Sequence, residues 1–235
     1  MKMDLHIHTR YSRTKRWGSA SLIEPRQLLD IAAELGLDGL AVTDHDEIDG
    51  SLIVAELAPA WGLVAVPGIE VSTTAGHILG LGVTRRIPRG LHPADVIDLI
   101  HEQGGIAVAA HPLNVVVSLG KKQILELPLD ALETHNARSF RNRKTARLRA
   151  DLLLGQTGGS DAHSIAEIGR GLTETRMRLT SYREVIDAIR KGKTFAHGTR
   201  THYRQVARAC IDTVARQKKE SLKRRILVGL SMYAA

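Results

Sequence analysis

Short apolar runs alternate along this chain with stretches in which apolar positions recur at helical spacing. The runs predict seven strands: Lys2–Leu5, Gly39–Thr43, Leu63–Ile69, His77–Val83, Ile106–Ala110, Asp130–Thr134 and Gln156–Gly159. Amphipathic helices are predicted between several of them, at Pro25–Leu35, Pro93–Gln103, Asn142–Leu154 and Tyr182–Lys191. Alternation of strands and helices is typical of a parallel sheet or barrel.

Turn and cap residues support these bounds. Pro25 stands at a first-turn position, and Gly36 follows the first helix. Ser181 and Glu184 form the capping-box pattern that opens the last of the four helices. Too few residues for a helix separate the third and fourth strands, so an antiparallel pairing through the turn Thr73–Gly76 is an alternative to a parallel crossover.

Length and composition favour one domain with an extension. The chain has 235 residues, and we expect a barrel over residues 1–199 and a basic helical C-terminal extension over residues 200–235. Aromatic residues make up only 3%, so the core must be built from Leu, Ile, Val and Ala. Cys210 stands alone, no signal peptide is recognised, and Ile226–Ala235 is too short to span a bilayer. These features indicate a cytoplasmic protein that does not enter a membrane.

Metal-ligating side chains recur where the predicted strands end. A single histidine after a strand is usually a cap or a loop residue, but here six strand ends carry His, Asp or Glu. The carboxyl ends of parallel barrel strands converge at one mouth, so we predict a metal centre there. His92, His101, His197 and His202 lie elsewhere and are interpreted as non-ligands. The strand-end set is His6, His8, Asp44, His45, Asp46, Glu70, His111, Glu133, His135, Asp161 and His163, and His77 opens the fourth strand.

This donor set suits hydrolytic chemistry. Imidazole and carboxylate groups bind zinc, manganese and iron. Two divalent ions about 3.5–4 Å apart can hold a hydroxide at neutral pH and bind a phosphoryl oxygen. No Ser–His–acid elbow is found, and Gly155–Gly159 lacks the Lys-Ser/Thr pair of a phosphate-binding P-loop.

Six motifs in order resemble the PHP superfamily, named for polymerase and histidinol phosphatase. They are Asp4–Thr9 (DLHIHT), Gly36–His45 (GLDGLAVTDH), Pro67–Glu70 (PGIE), His77–Gly80 (HILG), Ala110–Pro112 (AHP) and Gly159–His163 (GSDAH). The resemblance covers about residues 1–199. It implies a distorted seven-stranded (β/α) barrel and a metal-dependent phosphoesterase with two or three divalent ions, of zinc, manganese or iron.

The resemblance also implies a role for each motif residue. The first ion would be held by His6, His8, Glu70 and Asp161, and the second by Glu70, His77 and His111. Glu70 would bridge the two ions, and Glu70 and Asp161 are the implied catalytic residues.

A third ion would be held by His45 and His163, together with an Asp or His shortly after the first motif. The segment Tyr11–Arg16 offers neither residue type. Rescue of this site by Asp44 or Asp46, and a site that stays empty, are both open alternatives.

The net charge of +8 favours anionic partners. Arg13 and Arg138 flank motif residues and are predicted to bind substrate phosphate, since Arg suits bidentate phosphate contacts. His135 is predicted to contact substrate, although a ligand role is an alternative. The basic C-terminal helix either packs on the barrel or contacts nucleic acid.

Four functions are compatible with these residues. The favoured one is hydrolysis of a phosphomonoester or phosphodiester in a small metabolite or nucleotide, and the alternative is a nuclease acting on RNA or DNA ends. Amidohydrolase chemistry usually needs a carboxylated lysine at a mid-barrel strand end, and no lysine occurs between Lys15 and Lys121. A non-catalytic metal-stabilised module ranks last, because the first two metal sites have complete ligand sets.

Overall fold

The computed structural model describes residues 1–14, 18–19, 21–115, 117–209, 211–212 and 214–215. The strands are β1 (Lys2–Ile7), β2 (Arg13–Thr14), β3 (Gly18–Ser19), β4 (Gly39–Val42), β5 (Val64–Ser72), β6 (His77–Leu81), β7 (Ile106–Ala109), β8 (Ala131–Asn136), β9 (Gly155–Gly159), β10 (Gly171–Glu174) and β11 (Phe195–Gly198). The α-helices are α1 (Pro25–Glu34), α2 (Asp49–Leu57), α3 (Pro93–His101), α4 (Lys121–Glu126), α5 (Asn142–Leu152) and α6 (Tyr182–Arg190). Short 3₁₀ turns lie at Ala58–Trp61 and Ile165–Glu167.

Within the described part of the chain, nine strands form one sheet in the order β11-β10-β1-β4-β5-β6-β7-β8-β9, and β2 and β3 form a separate hairpin. β1, β4 and β5 are parallel, as are β7, β8 and β9. β6 runs antiparallel to both its neighbours, and the Thr73 amide donates to the Gly76 carbonyl in the turn before it. The antiparallel alternative for this hairpin is therefore confirmed.

The α/β class is confirmed, with a difference in strand number. All seven expected strands are present, but β10 and β11 extend the sheet antiparallel beyond β1. Each has only four residues, and neither contains an apolar run: β10 alternates between buried and half-buried positions, and β11 is mostly exposed. Apolar runs therefore mark the barrel strands but not these two.

The sheet curls into a nearly closed barrel because β9 approaches β1. Just past β9, the Asp161 amide donates to the His6 carbonyl at 2.8 Å, and the His8 amide donates to the Ala162 carbonyl at 3.0 Å. Gly159 faces His6 so closely that a Cβ at this position would lie 2.2 Å from the His6 Cβ. Only glycine fits there, so Gly159 lets the two motif-bearing strands meet.

The helices pack on the sheet through the apolar faces that the spacing of their apolar residues predicts. Val185 and Ile189 of α6 are fully buried in one cluster with Met3, Leu81 and Ile106 of the barrel strands. The four predicted helices are confirmed, each ending one or two residues earlier than its apolar pattern. α2 and α4 are additional helices that the spacing did not predict.

The C-terminal extension is helical over residues 203–209. Most of its basic residues, among them Arg216, Lys219 and Lys223, lie outside the described residues, as do Lys15 and Arg16. The domain boundary at residue 199 stays a prediction. None of the described helices is both long and apolar enough to cross a membrane.

Candidate metal centre

Glu70, fully buried near the end of β5, lies at the centre of a histidine cluster. Its Oε1 atom lies 2.8 Å from His77 Nδ1 and 3.0 Å from His111 Nε2. β6 brings His77 to this place because it runs antiparallel, so its first residue lies at the mouth where the parallel strands end. One carboxylate oxygen thus faces two imidazoles from two different strand ends.

The other oxygen of Glu70 faces three more imidazoles. Its Oε2 atom lies 3.0 Å from His45 Nδ1, 3.2 Å from His8 Nε2 and 3.3 Å from His6 Nε2. Asp161 joins this side, since its Oδ1 atom lies 3.3 Å from His8 Nε2 and 3.7 Å from His6 Nε2. The structure therefore brings together all the residues that the family resemblance implied for the first two ions.

Glu133 and Ser12 fix the orientation of the two first-motif rings. Glu133 Oε1 lies 2.9 Å from His6 Nδ1, and Ser12 Oγ lies 3.1 Å from His8 Nδ1. A carboxylate accepts only, so Nδ1 of His6 donates to Glu133, and Nε2, which faces Glu70, is the ring atom left to bind a cation. A carboxylate behind a ligating histidine is a recurrent support of metal sites.

Glu133 is the site residue for which sequence reasoning found no role. It is buried in the middle of β8, and its Oε2 atom also accepts from the His111 amide at 2.6 Å and from Asn136 Nδ2 at 3.0 Å. The only sequence signal was its place among the strand-end carboxylates. Its ring partner lies 127 residues away along the chain, so no local pattern identifies the contact.

The donor set fits divalent cations. The Nε2 atoms of His6 and His8 lie only 3.2 Å apart, and both face carboxylate oxygens. His45 Nδ1 is buried and, despite lying near Glu70, makes no hydrogen bond. Among the residues that the structure describes, three ligand groups have donor atoms within 4.8 Å of one another: His6, His8 and Asp161; His45, Glu70 and His77; and His8, His45 and His163. Convergent nitrogen and carboxylate atoms of this kind are what zinc, manganese and iron bind.

Electrostatics favour ionised carboxylates in this cluster. Burial alone would raise the pKa of Glu70, but the imidazoles of His45, His77 and His6 hold it well below its ordinary value. Burial likewise opposes ionisation of Asp161, and His6 and His8 outweigh it, so its pKa is also well below the ordinary value. Both carboxylates therefore stay charged, as a cation requires.

The pKa of the His6 ring responds to the same carboxylates. Burial lowers this pKa, but Glu133, Asp161 and Glu70 together raise it well above the ordinary value. The negative charge that favours a proton on this ring equally favours a metal cation in front of it, and cation binding would displace the proton.

Asp4 holds the loop that carries Asp161 against the start of the barrel. Its buried carboxylate accepts from the Ser160 amide at 2.9 Å and from the Gly169 amide at 2.8 Å. Burial raises the pKa of Asp4 to about 6, against these hydrogen bonds. Asp161 itself adopts a left-handed conformation with φ of 54°, so the loop is held in an unusual shape at the site.

Ser12 lies in the segment after the first motif, where an Asp or His was expected as a ligand of the third ion. Besides its contact with His8, Ser12 Oγ accepts from the His45 amide at 2.9 Å. Asp44 accepts from the Thr9 amide and from Thr9 Oγ1, which uses both its carboxylate oxygens. Asp46 Oδ1 accepts from the Ser72 amide, and Asp46 Oδ2 lies 3.4 Å from Arg89 Nη1. Neither aspartate contacts the cluster, so the geometry gives no support to a rescue by either one.

We expect about two ions per chain at saturation, because the remaining group of His8, His45 and His163 has no carboxylate of its own. His163→Ala should then leave the metal content nearly unchanged, whereas His77→Ala should lose about one ion. Elemental analysis after reconstitution and desalting measures both variants beside wild type. A wild-type content of about three ions that falls in His163→Ala would contradict this expectation.

The predicted substrate residues lie at different distances from the cluster. Arg138 donates from Nε and one terminal nitrogen to Glu167, at 2.8 and 2.9 Å, and its positive charge helps to lower the pKa values of Asp161 and His163. Arg13 Nε lies 3.1 Å from Glu47 Oε2, with a largely exposed side chain. Arg138 is therefore held beside the metal-ligand candidates, while Arg13 lies on the surface.

His135 lies apart from the cluster. The pairing of β8 with β9 shifts register at a bulge between Glu133 and His135. The Nε2 atom of His135 faces Gly198 and has no hydrogen-bond partner. Burial lowers the pKa of this ring. Its substrate role stays a prediction, and it belongs to none of the ligand groups found among the described residues.

The four histidines interpreted as non-ligands also lie away from the cluster. His92 caps α3, His101 pairs with Asp130, His197 pairs with Glu174 and His202 stacks on Tyr203.

Comparison with known proteins assigns the family. A family model described as PHP-associated matches residues 140–194. The fold matches a two-domain protein from Bacteroides vulgatus that contains a predicted PHP-like metal-dependent phosphoesterase, with a TM-score of 0.71 and 19% identity over 85% of this chain and 65% of that one. The chain belongs to the PHP superfamily.

Two relatives are similar to this PHP protein over part of its length. An uncharacterised protein of Methanocaldococcus jannaschii, MJ1587, is 40% identical over 141 residues, covering 58% of this chain and 82% of the relative. A phosphoribosyl 1,2-cyclic phosphate 1,2-diphosphodiesterase of Eggerthella lenta is 38% identical over 91 residues, covering 36% of this chain and 32% of the relative.

Proposed function

We propose that this PHP protein hydrolyses a phosphate ester of a small metabolite or a nucleotide. The observation that carries the proposal is the position of Glu70, whose two oxygens face separate sets of imidazoles. His77 and His111 face Oε1, and His6 and His8 face Oε2. A carboxylate placed in this way suits the bridge between two cations.

Each side chain has a distinct part in this proposal. Divalent cations bound here would supply charge neutralisation for phosphoryl oxygens and a water of lowered pKa. Glu70 and Asp161 would hold the cations with their ionised oxygens, and the imidazoles of His6, His8, His77 and His111 would complete the ligand set. The burial of Glu70, His6 and His8 keeps bulk water from these side chains, which strengthens the attraction between the charges.

Arg138 would bind a substrate phosphate beside the cluster. Glu167 holds its guanidinium bidentately, and Glu167 is itself fixed by the His163 amide and by Ser164 Oγ. A guanidinium fixed in this way is oriented for an anion before substrate arrives. The positive charge of Arg13, nearer the surface, would attract the same anion.

The test is reconstitution of metal-stripped protein with Mn²⁺, Zn²⁺ or Fe²⁺, followed by a substrate screen. Phosphomonoesters, cyclic phosphodiesters, mononucleotides and short oligonucleotides are compared by release of phosphate or shortened product. We expect ester hydrolysis that requires added metal, that His6→Ala abolishes and that His92→Ala leaves intact, since His92 only caps α3. Folded, metal-loaded protein that cleaves none of these esters would contradict the proposal.

A nuclease is the second candidate, and one surface feature favours it. The Phe140 side chain is 73% exposed, and the Arg200 guanidinium lies 3.8 Å from the centre of its ring. Tyr203, also largely exposed, follows shortly along the chain. Exposed aromatic rings with arginine are the means by which single strands are bound without sequence preference. The oligonucleotides in the screen distinguish this candidate from the first.

A further inference from the structure

A pocket of about 430 Å³ lies beside the metal centre and takes no part in the function proposed above. It is formed by residues 22–23 before α1, by the loop at 163–166 after β9, and by four residues of the C-terminal extension, Gln205, Arg208, Ala209 and Asp212. His163 lines this pocket and also belongs to one of the ligand groups. A molecule bound in the pocket would therefore extend to the cluster.

The pocket walls are mainly apolar. Leu22, Ile23, Ile165, Ala166 and Ala209 provide them. A sugar or polyol buried here would leave its hydroxyl groups without hydrogen-bond partners, which costs free energy for each group. A flat, largely apolar ring fills such walls without that cost, and the volume lies within the range of pockets that bind small molecules.

The polar groups of the pocket are few and stand at defined places. The Gln205 amide offers both donors and an acceptor, which match the mixed edge of a nucleobase. Arg208 and Asp212 lie 3.8 Å apart with exposed side chains, and Ser164 lies next to His163. Apolar walls with a single amide suit a buried base, and the exposed Arg208 and Asp212 at the rim can hydrogen-bond the hydroxyl groups of its ribose.

We infer that this pocket binds the nucleoside part of a nucleotide whose phosphate lies at the Glu70 cluster. The inference rests on the proposed function and narrows its substrate class to nucleotides rather than sugar phosphates. The C-terminal segment is then a specificity element, because Gln205, Arg208 and Ala209 form one wall of the site.

Filling the pocket tests the inference. Ala209 is buried at 6% exposure, so Ala209→Phe places a ring into the pocket, whereas Ile211→Phe changes a position of the same segment that is 66% exposed. For Ala209→Phe we expect KM for a mononucleotide to rise about tenfold or more, with kcat and the turnover of ethyl phosphate unchanged. Ile211→Phe should behave as wild type. Ala166→Phe, at an exposed position of the pocket wall, gives a second variant if Ala209→Phe does not fold.

Binding without chemistry provides an independent measurement. Adenosine and uridine, which carry no phosphate, are titrated into the full chain while the methyl signals of Ile23, Ile165 and Ala166 are followed by NMR. We expect shifts in wild type and in Ile211→Phe that Ala209→Phe abolishes. Unmoved methyl signals, or a nucleotide KM that pocket filling leaves unchanged, would overturn the inference. If wild type cleaves no ester at all, the proposed function fails, and the nucleoside titration still decides whether the pocket binds a nucleoside.

Discussion

Glu70→Gln is expected to lower kcat/KM by about two orders of magnitude or more, equivalent to about 3 kcal/mol of transition-state stabilisation. Each oxygen of Glu70 faces imidazole nitrogens at 2.8 to 3.3 Å, and in the proposed site these nitrogens and that oxygen would bind the same cation. A glutamine keeps the shape, but it loses the charge and turns an NH₂ group towards one of these positions. That side of the site would then repel the cation it should hold.

The measurement combines steady-state kinetics with elemental analysis of the same preparation. Glu34→Gln is the matched control, because Glu34 is exposed in α1 and the same chemical change there should be silent. Thermal unfolding shows whether each variant is folded. A folded Glu70→Gln protein with full metal content and near wild-type turnover would rule out the bridging role.

Glu133→Gln is expected to lower metal affinity or activity by about 10- to 100-fold, although Glu133 is not a proposed ligand. Its carboxylate receives three donors, from His6 Nδ1, the His111 amide and Asn136 Nδ2. A glutamine has one acceptor oxygen, so its NH₂ group must face at least one of these donors. The His6 ring would lose both its orientation and part of its basicity.

A metal titration separates this positioning role from a general loss of stability. We expect the affinity for the ion next to His6 to fall in Glu133→Gln and to recover partly in Glu133→Asp, which restores the charge. Glu126→Gln, an exposed position in α4, is the control. Wild-type metal affinity in folded Glu133→Gln would show that the contact with His6 is dispensable.

The sequence by itself determined the seven barrel strands, the apolar faces of four helices and the ligand candidates of the proposed metal centre. His6 and His8 share one face because strand residues two apart point to the same side. Seven apolar runs became the seven strands of the barrel, and their ends brought Glu70 and Asp161 to one mouth. These features can be predicted from the sequence because apolar periodicity and turn residues determine local structure through residues that are close together in the chain.

Only the tertiary structure decided which strand-end residues meet. Asp44 resembles a ligand in sequence, yet Thr9 occupies both its oxygens, and His135 faces Gly198 rather than the cluster. Glu133 showed no distinguishing signal, but it orients the ring of His6. Such contacts join residues far apart in the chain, and they depend on barrel closure, register and bulges. Local patterns do not contain that information, because burial and partner choice are set when the strands pack together.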